Sequence, residues 1–105
     1  MSLMLMALMM QAAPMPAVAP DRCVAVAGRV EYYFTLAKDM IEAAAAKKDP
    51  SDADKAMLDG VAQDKARIVT IRKKYPGVTP SDAITAEVKE YDGKTMHAMI
   101  EACAP

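Results

Sequence analysis

Side chains able to do acid–base, nucleophilic or metal chemistry are sparse in this chain of 105 residues. His97 is its only histidine. On a helical wheel it points away from Met99 and Cys103 and toward Glu101 one turn on, which reads as a solvated surface position. No set of side chains at metal-ligand spacing accompanies it, so neither a haem nor a metal centre is expected, and no cofactor. Beyond the N-terminal segment the only serines are Ser51 and Ser81. Both stand at helix starts, where a serine hydroxyl caps the helix rather than attacking a substrate. The four glycines form no phosphate-cradling loop, and no Cys-x-x-Cys occurs, which excludes thioredoxin-type exchange and haem attachment as local motifs.

The two cysteines, Cys23 and Cys103, lie near the two ends of the body of the chain. An N-terminal segment separates from that body by composition: six of the ten methionines fall within the first fifteen residues, and no charged residue precedes Asp21. Its apolar run, Leu3 to Met10, is far shorter than the roughly 20 residues that span a bilayer. Followed by Ala17-Val18-Ala19, it has the layout of a secretory signal peptide over residues 1–20, with the mature domain over 21–105. The missing Lys or Arg at its start, and Pro20 after the small-residue site, depart from that layout; cleavage near Ala12 or Ala13 avoids the proline. An alternative is a Met-rich metal carrier, since thioethers suit Cu(I). In an exported protein the two cysteines are most simply one disulfide, closing a loop around nearly the whole mature chain. A periplasmic or secreted location follows from the same pattern.

Charged side chains give two further candidates. Lys65 and Arg72 are seven residues apart and share a helical sector with Leu58, Val61 and Ile68. Their heads either snorkel to solvent and pair with Glu87, Glu90 or Asp54, or line a cationic pocket for a carboxylate or phosphate. With Arg29, Lys38 and the Asp52-Ala53-Asp54-Lys55-Ala56 segment, this arrangement resembles the secreted all-helical chorismate mutases, which imply a small-anion-binding enzyme with cationic side chains projecting into a bundle. Lys55-Ala56 stands where that family has Arg-Glu, and the last helix has no suitably placed Gln. The second candidate is a partner surface. In the first helix Glu31, Lys38, Asp39 and Glu42 occupy a sector of roughly 100°, and apolar side chains span about 220°, more than one core-facing stripe requires. Tyr32, Leu36, Ala25 and Ala43 form a second stripe flanking Arg29. Such a helix is either central in its domain or an interface element, and Tyr and Arg are residue types that anchor interfaces.

The elements that position these residues are helices. Apolar content is 53% but aromatic content only 5%, so Ala and Met dominate, which favours helix over sheet. The first helix opens with Asp21 as its cap, and Cys23, Ala27, Val30, Phe34, Ala37, Ile41 and Ala44 recur at alternating spacings of four and three. Ser51 and Asp54 form a capping-box pair for a second helix carrying Met57, Leu58, Val61, Ile68, Ile71 and Tyr75, stopped by Pro76-Gly77. Thr79-Pro80 opens a third. Run unbroken, a third helix of about 24 residues would leave Cys103 some ~36 Å from Cys23, whereas a disulfide requires Cα atoms within about 7 Å. A break near Tyr91-Asp92-Gly93, with Gly93 as a left-handed stop and Thr95 as the next cap, returns Cys103 to Cys23.

The sequence thus predicts an all-α fold, a small helical bundle of three long helical segments with the last broken near Gly93 into a fourth. Thirteen Lys and Arg against 14 Asp and Glu, no Trp and one Phe lack the basic footprint and stacking platforms of a nucleic-acid-binding protein. The expectation is a protein without catalytic machinery that binds another protein or itself, as an inhibitor, immunity factor, chaperone or structural accessory. In size, helicity and a single disulfide it is similar to small acid-stress periplasmic chaperones. Mass spectrometry of the native protein should show a new N-terminus between residues 12 and 21; an intact Met1 in the soluble cytosol would refute export.

Overall fold

The computed structural model describes residues 17–105; the apolar run and Ala12 and Ala13 lie outside the described residues. Five helices and, among the described residues, no strand make an all-α small bundle: α1 Pro20–Leu36, α2 Lys38–Ala46, α3 Asp52–Lys74, α4 Asp82–Lys89 and α5 Gly93–Cys103.

The local chemistry of the chain explains each boundary, and in several places moves it from the sequence expectation. Pro20 takes the first position of α1, where its fixed φ suits the helix and its missing N–H costs nothing. Asp21 therefore falls in the first turn instead of capping, and its Oδ1 accepts the Arg22 N–H at 2.8 Å. The expected first helix is two pieces. At Ala37 φ is −93° and ψ 5°, yet the Ala37 N–H still donates to the Tyr33 carbonyl and the Ile41 N–H to the Ala37 carbonyl, both at 2.9 Å. The ladder continues through the joint, and Phe34, Ala37, Ile41 and Ala44 keep one covered face across it.

The capping box of α3 forms as the sequence implies. Ser51 Oγ accepts the Asp54 N–H, and Asp54 Oδ2 accepts the Ser51 N–H, both at 3.1 Å. Lys47 Nζ also donates to Asp54 at 3.0 Å, and with the capping bonds holds that carboxyl below its usual range. Gly77, at φ 77°, has the only left-handed backbone among the described residues and stops the chain after α3. At α4 the cap is Ser81, whose Oγ accepts the Ile84 N–H at 3.2 Å. Thr79 and Pro80 stand before it, so the helix starts two residues later than Pro80.

The break before α5 is present, but its agents differ from the expectation. Asp92 is the cap, accepting the Thr95 N–H at 2.7 Å, and Gly93 is the first helical residue with no left-handed φ. An Asp carboxylate one residue before the helix reaches its third N–H, so Thr95 supplies the donor and not the cap.

The core lies at one end of the bundle. Cys23, Val24, Ala25, Val26 and Ala27 are buried in succession, which a helix permits only when neighbours surround it. Here α3, α4 and α5 all pack on α1, with Ile71, Val88 and Ile100 among the most completely enclosed side chains. Together α1 and α2 run about 40 Å, whereas α4 and α5 measure only about 12 Å and 16 Å, at 1.5 Å per residue. Beyond the reach of α4 and α5, α3 is the helix that packs on the α1–α2 rod among the described residues.

Cys23 and Cys103 are bonded across this enclosed end, Cα to Cα 5.8 Å over a separation of 80 residues. Loop-closure entropy places the stabilisation at about 4 to 5 kcal/mol as an upper figure. Reduction should therefore lower the melting temperature by many degrees, because about 1 kcal/mol shifts a domain of this size by about 4 to 8 °C. An unchanged melt under reductant, or a reducible dimer, would show that the bond does not close this domain.

Candidate functional site

Where α4 and α5 run out, the second stripe of the first helix is left uncovered. Tyr32 is 50% exposed, Leu36 64% and Met40 61%, three large side chains at successive spacings of four on one face. Ala25 at the lower end of the stripe is buried and Ala43 at the upper end is exposed. The wide apolar arc thus has two causes: its N-terminal part is enclosed, and its C-terminal part faces solvent.

Arg29 sits at the changeover. Its guanidinium carbon lies 5.0 Å from the Tyr32 ring centre and 4.9 Å from that of Tyr33, within cation–π range of both. Nη2 donates to the Tyr33 hydroxyl at 3.3 Å, and Nε is buried with no acceptor. Arg29, Tyr32 and Leu36 are therefore brought onto one side of the helix. Met40, 61% exposed, extends the row, and Tyr33 lies beside it facing Gly93 and Met96 of α5 across a groove; the sequence reading singled out neither.

Lys65 and Arg72 are both exposed and do not converge. Arg72 donates through Nε at 3.1 Å and Nη2 at 2.6 Å to Glu31 Oε1 on α1, rather than to Glu87, Glu90 or Asp54. Lys65 Nζ stands 6.0 Å from the Phe34 ring centre. Two turns of helix, about 10 Å, separate them along α3. Lys65 lines a groove of about 700 Å³ between α3 and the α1–α2 rod, beside Phe34, Lys38 and Ile41. Arg72 lines a separate open cavity of about 530 Å³, with Thr85, Val88 and Lys89 of α4 along one side. That second cavity is lined by Arg29, Arg72 and Lys89 together with Thr85 and Tyr32. Lys89 and Thr85 carry no local signal, because their neighbours come from other helices.

His97 is solvated, as its wheel position implies, and Nε2 meets Glu101 Oε1 at 2.7 Å. Nδ1 faces Asp64 of α3 at 3.5 Å, a contact between helices that the wheel does not show. Among the described residues no group of three His, Cys, Asp or Glu side chains could hold a metal ion, and no helix is long and apolar enough to cross a membrane.

The wall that α4 gives the cavity is fixed from outside. Arg22 of α1 donates to Glu87 through Nε at 2.7 Å and Nη2 at 3.0 Å, and Tyr91 donates its hydroxyl to the same carboxylate at 2.6 Å. These bonds, Arg22 first, hold the Glu87 carboxyl below its usual range, and the carboxylate in turn pushes the Tyr91 phenol up. Comparison of the chain with protein-family models, curated proteins and solved structures gives no match.

A carboxyl whose pKa is depressed on folding contributes stability that is present above its ordinary value, 4.5 for Glu87, and lost as pH falls through the lower folded value. Arg22→Gln should raise the Glu87 pKa toward 4.5 and flatten the acid-side slope of stability between the two values. Carbon-detected titration of the carboxyl measures the shift; a Glu87 that titrates at its ordinary value in the unmodified protein would remove Arg22 from this role.

Proposed function

We propose that the protein is exported, to the periplasm or beyond the cell, and acts there by binding another protein or a second copy of itself through the uncovered face of α1 and α2. In this reading no residue has a catalytic role, and the work is that of an inhibitor, immunity factor, chaperone or structural accessory. The observation that carries the reading is the exposed row Tyr32, Leu36 and Met40 beside the tyrosine-flanked Arg29. Single exposed apolar side chains are ordinary on a protein surface, but a contiguous row is characteristic of interaction sites. Tyr and Arg supply large contact area with few rotamers to freeze and are enriched among residues that dominate binding energy. Export draws its support from the signal-like layout of residues 1–20, and an oxidising compartment suits the bond between Cys23 and Cys103.

The double variant Tyr32→Ser/Leu36→Ser tests the reading. Complexes that the mature protein forms in its own envelope fraction, or its dimer on size-exclusion chromatography, should be lost. The thermal melt should stay nearly unchanged, since surface substitutions cost within about 0.5 kcal/mol. A fall of about 2 to 5 kcal/mol per side chain would mean these residues are core, and complexes that survive the change would remove the face from the function.

A further inference from the structure

We propose that the cavity between α1, the end of α3 and α4 binds a small organic anion, a carboxylate or phosphate carried on an apolar body. The inference does not rest on the partner reading: the two share Arg29 and Tyr32, but Leu36 and Met40 lie outside this cavity. Its volume of about 530 Å³ falls within the range of small-molecule sites, which are commonly apolar in their lining with a few convergent polar groups. Val24, Ala25 and Val88 supply the apolar wall, and all three are buried. Gly28 lines the floor, where a Cβ would stand in ordinary contact with Arg72 Nη2 at 3.8 Å.

The polar lining is one-sided in charge. Arg29, Arg72 and Lys89 line the cavity and no acidic residue does. Glu31 satisfies part of Arg72 from the neighbouring groove. Lys89 has no ion pair among the described residues. Arg29 has five N–H donors, and the Tyr33 hydroxyl is its one hydrogen-bond acceptor among the described residues. Three cations line one cavity with a single acidic partner on one of them, and an oxyanion there would supply an opposite charge and further hydrogen-bond acceptors. The flat fork of an arginine selects carboxylate or phosphate over a spherical halide.

Titration of the full chain with benzoate and with phenyl phosphate, followed by amide NMR, tests the site. Saturable shifts are expected at Gly28, Thr85 and Val88 for at least one of the two, with neutral benzamide at least about tenfold weaker, a difference of about 1.4 kcal/mol. Lys89→Gln, an exposed change on α4, should weaken binding several-fold without altering the melt, and Arg29→Gln should weaken it further. Leu36→Ser should leave it unchanged, which separates this site from the part of the partner face beyond Tyr32. The proposal is overturned by absence of saturation through the millimolar range, by benzamide binding as tightly as benzoate, or by Lys89→Gln binding as the unmodified chain does. Inorganic phosphate binding as tightly as phenyl phosphate would overturn the apolar part of it.

Discussion

Val24, Ala25, Val26 and Ala27 are small apolar side chains in unbroken succession, and a helix that carries such a run can be approached closely from every side. Interaxial distances are set by the side chains at the contact, so short residues let three neighbours pack around one axis. The remainder of the architecture depends on this enclosure being confined to one end. It gives α4 and α5 a surface to bury, brings Cys103 back to Cys23, and leaves Ile71, Val88 and Ile100 almost without solvent contact. Further along, Glu31, Thr35, Lys38, Asp39 and Glu42 interrupt the apolar surface, and a short helix has nothing continuous to pack against. The uncovered row and the cavity under α4 are two consequences of that transition.

Electrostatics follows the same division. At the enclosed end the ion pair of Arg22 with Glu87 joins α1 to α4, and near the changeover Arg72 with Glu31 joins α3 to α1. Both pairs are partly exposed, so each is worth little as raw stability. Their larger effect is positional: each uses an arginine fork to fix the angle of one helix against another, with Tyr91 adding a third contact to Glu87. The cations of the cavity wall therefore project from helices whose relative placement is already set.

Much of the fold was legible in the residues. The four-and-three spacing from Cys23 to Ala44 identified the covered face of α1 and α2 across the joint at Ala37, because a period is insensitive to one distorted residue. Ser51 with Asp54 and the left-handed Gly77 were legible for the same reason: their chemistry is complete within a few consecutive residues. The need to bring two cysteines together required the chain to turn near Gly93, although periodicity alone left it open. What went astray was the choice between adjacent candidates of similar chemistry. Asp92 outcompetes Thr95 at α5, and α4 opens after Ser81, the serine expected to cap, rather than at Thr79-Pro80. Pairings between helices were not legible. Arg72 finds Glu31 across a separation of 41 residues, and Lys89 joins Arg29 at one cavity only because α4 packs where it does. Nothing in local spacing distinguishes these partners from the other carboxylates and cations on the wheel.

The bond between Cys23 and Cys103 also places the entry and exit of the folded domain side by side, at the end away from the uncovered face. Met40 lies about 26 Å up the rod from Cys23, at 1.5 Å per residue. A fluorophore or surface anchor attached beside Cys23 or Cys103 therefore sits at the far end of the rod from Met40. The adjacency also suits circular permutation of the domain: a short linker could join Pro105 to Pro20 while new ends open in the exposed turn at Lys48 and Asp49. In such a chain the disulfide would close only a short loop, and most of its entropic contribution would pass to the linker.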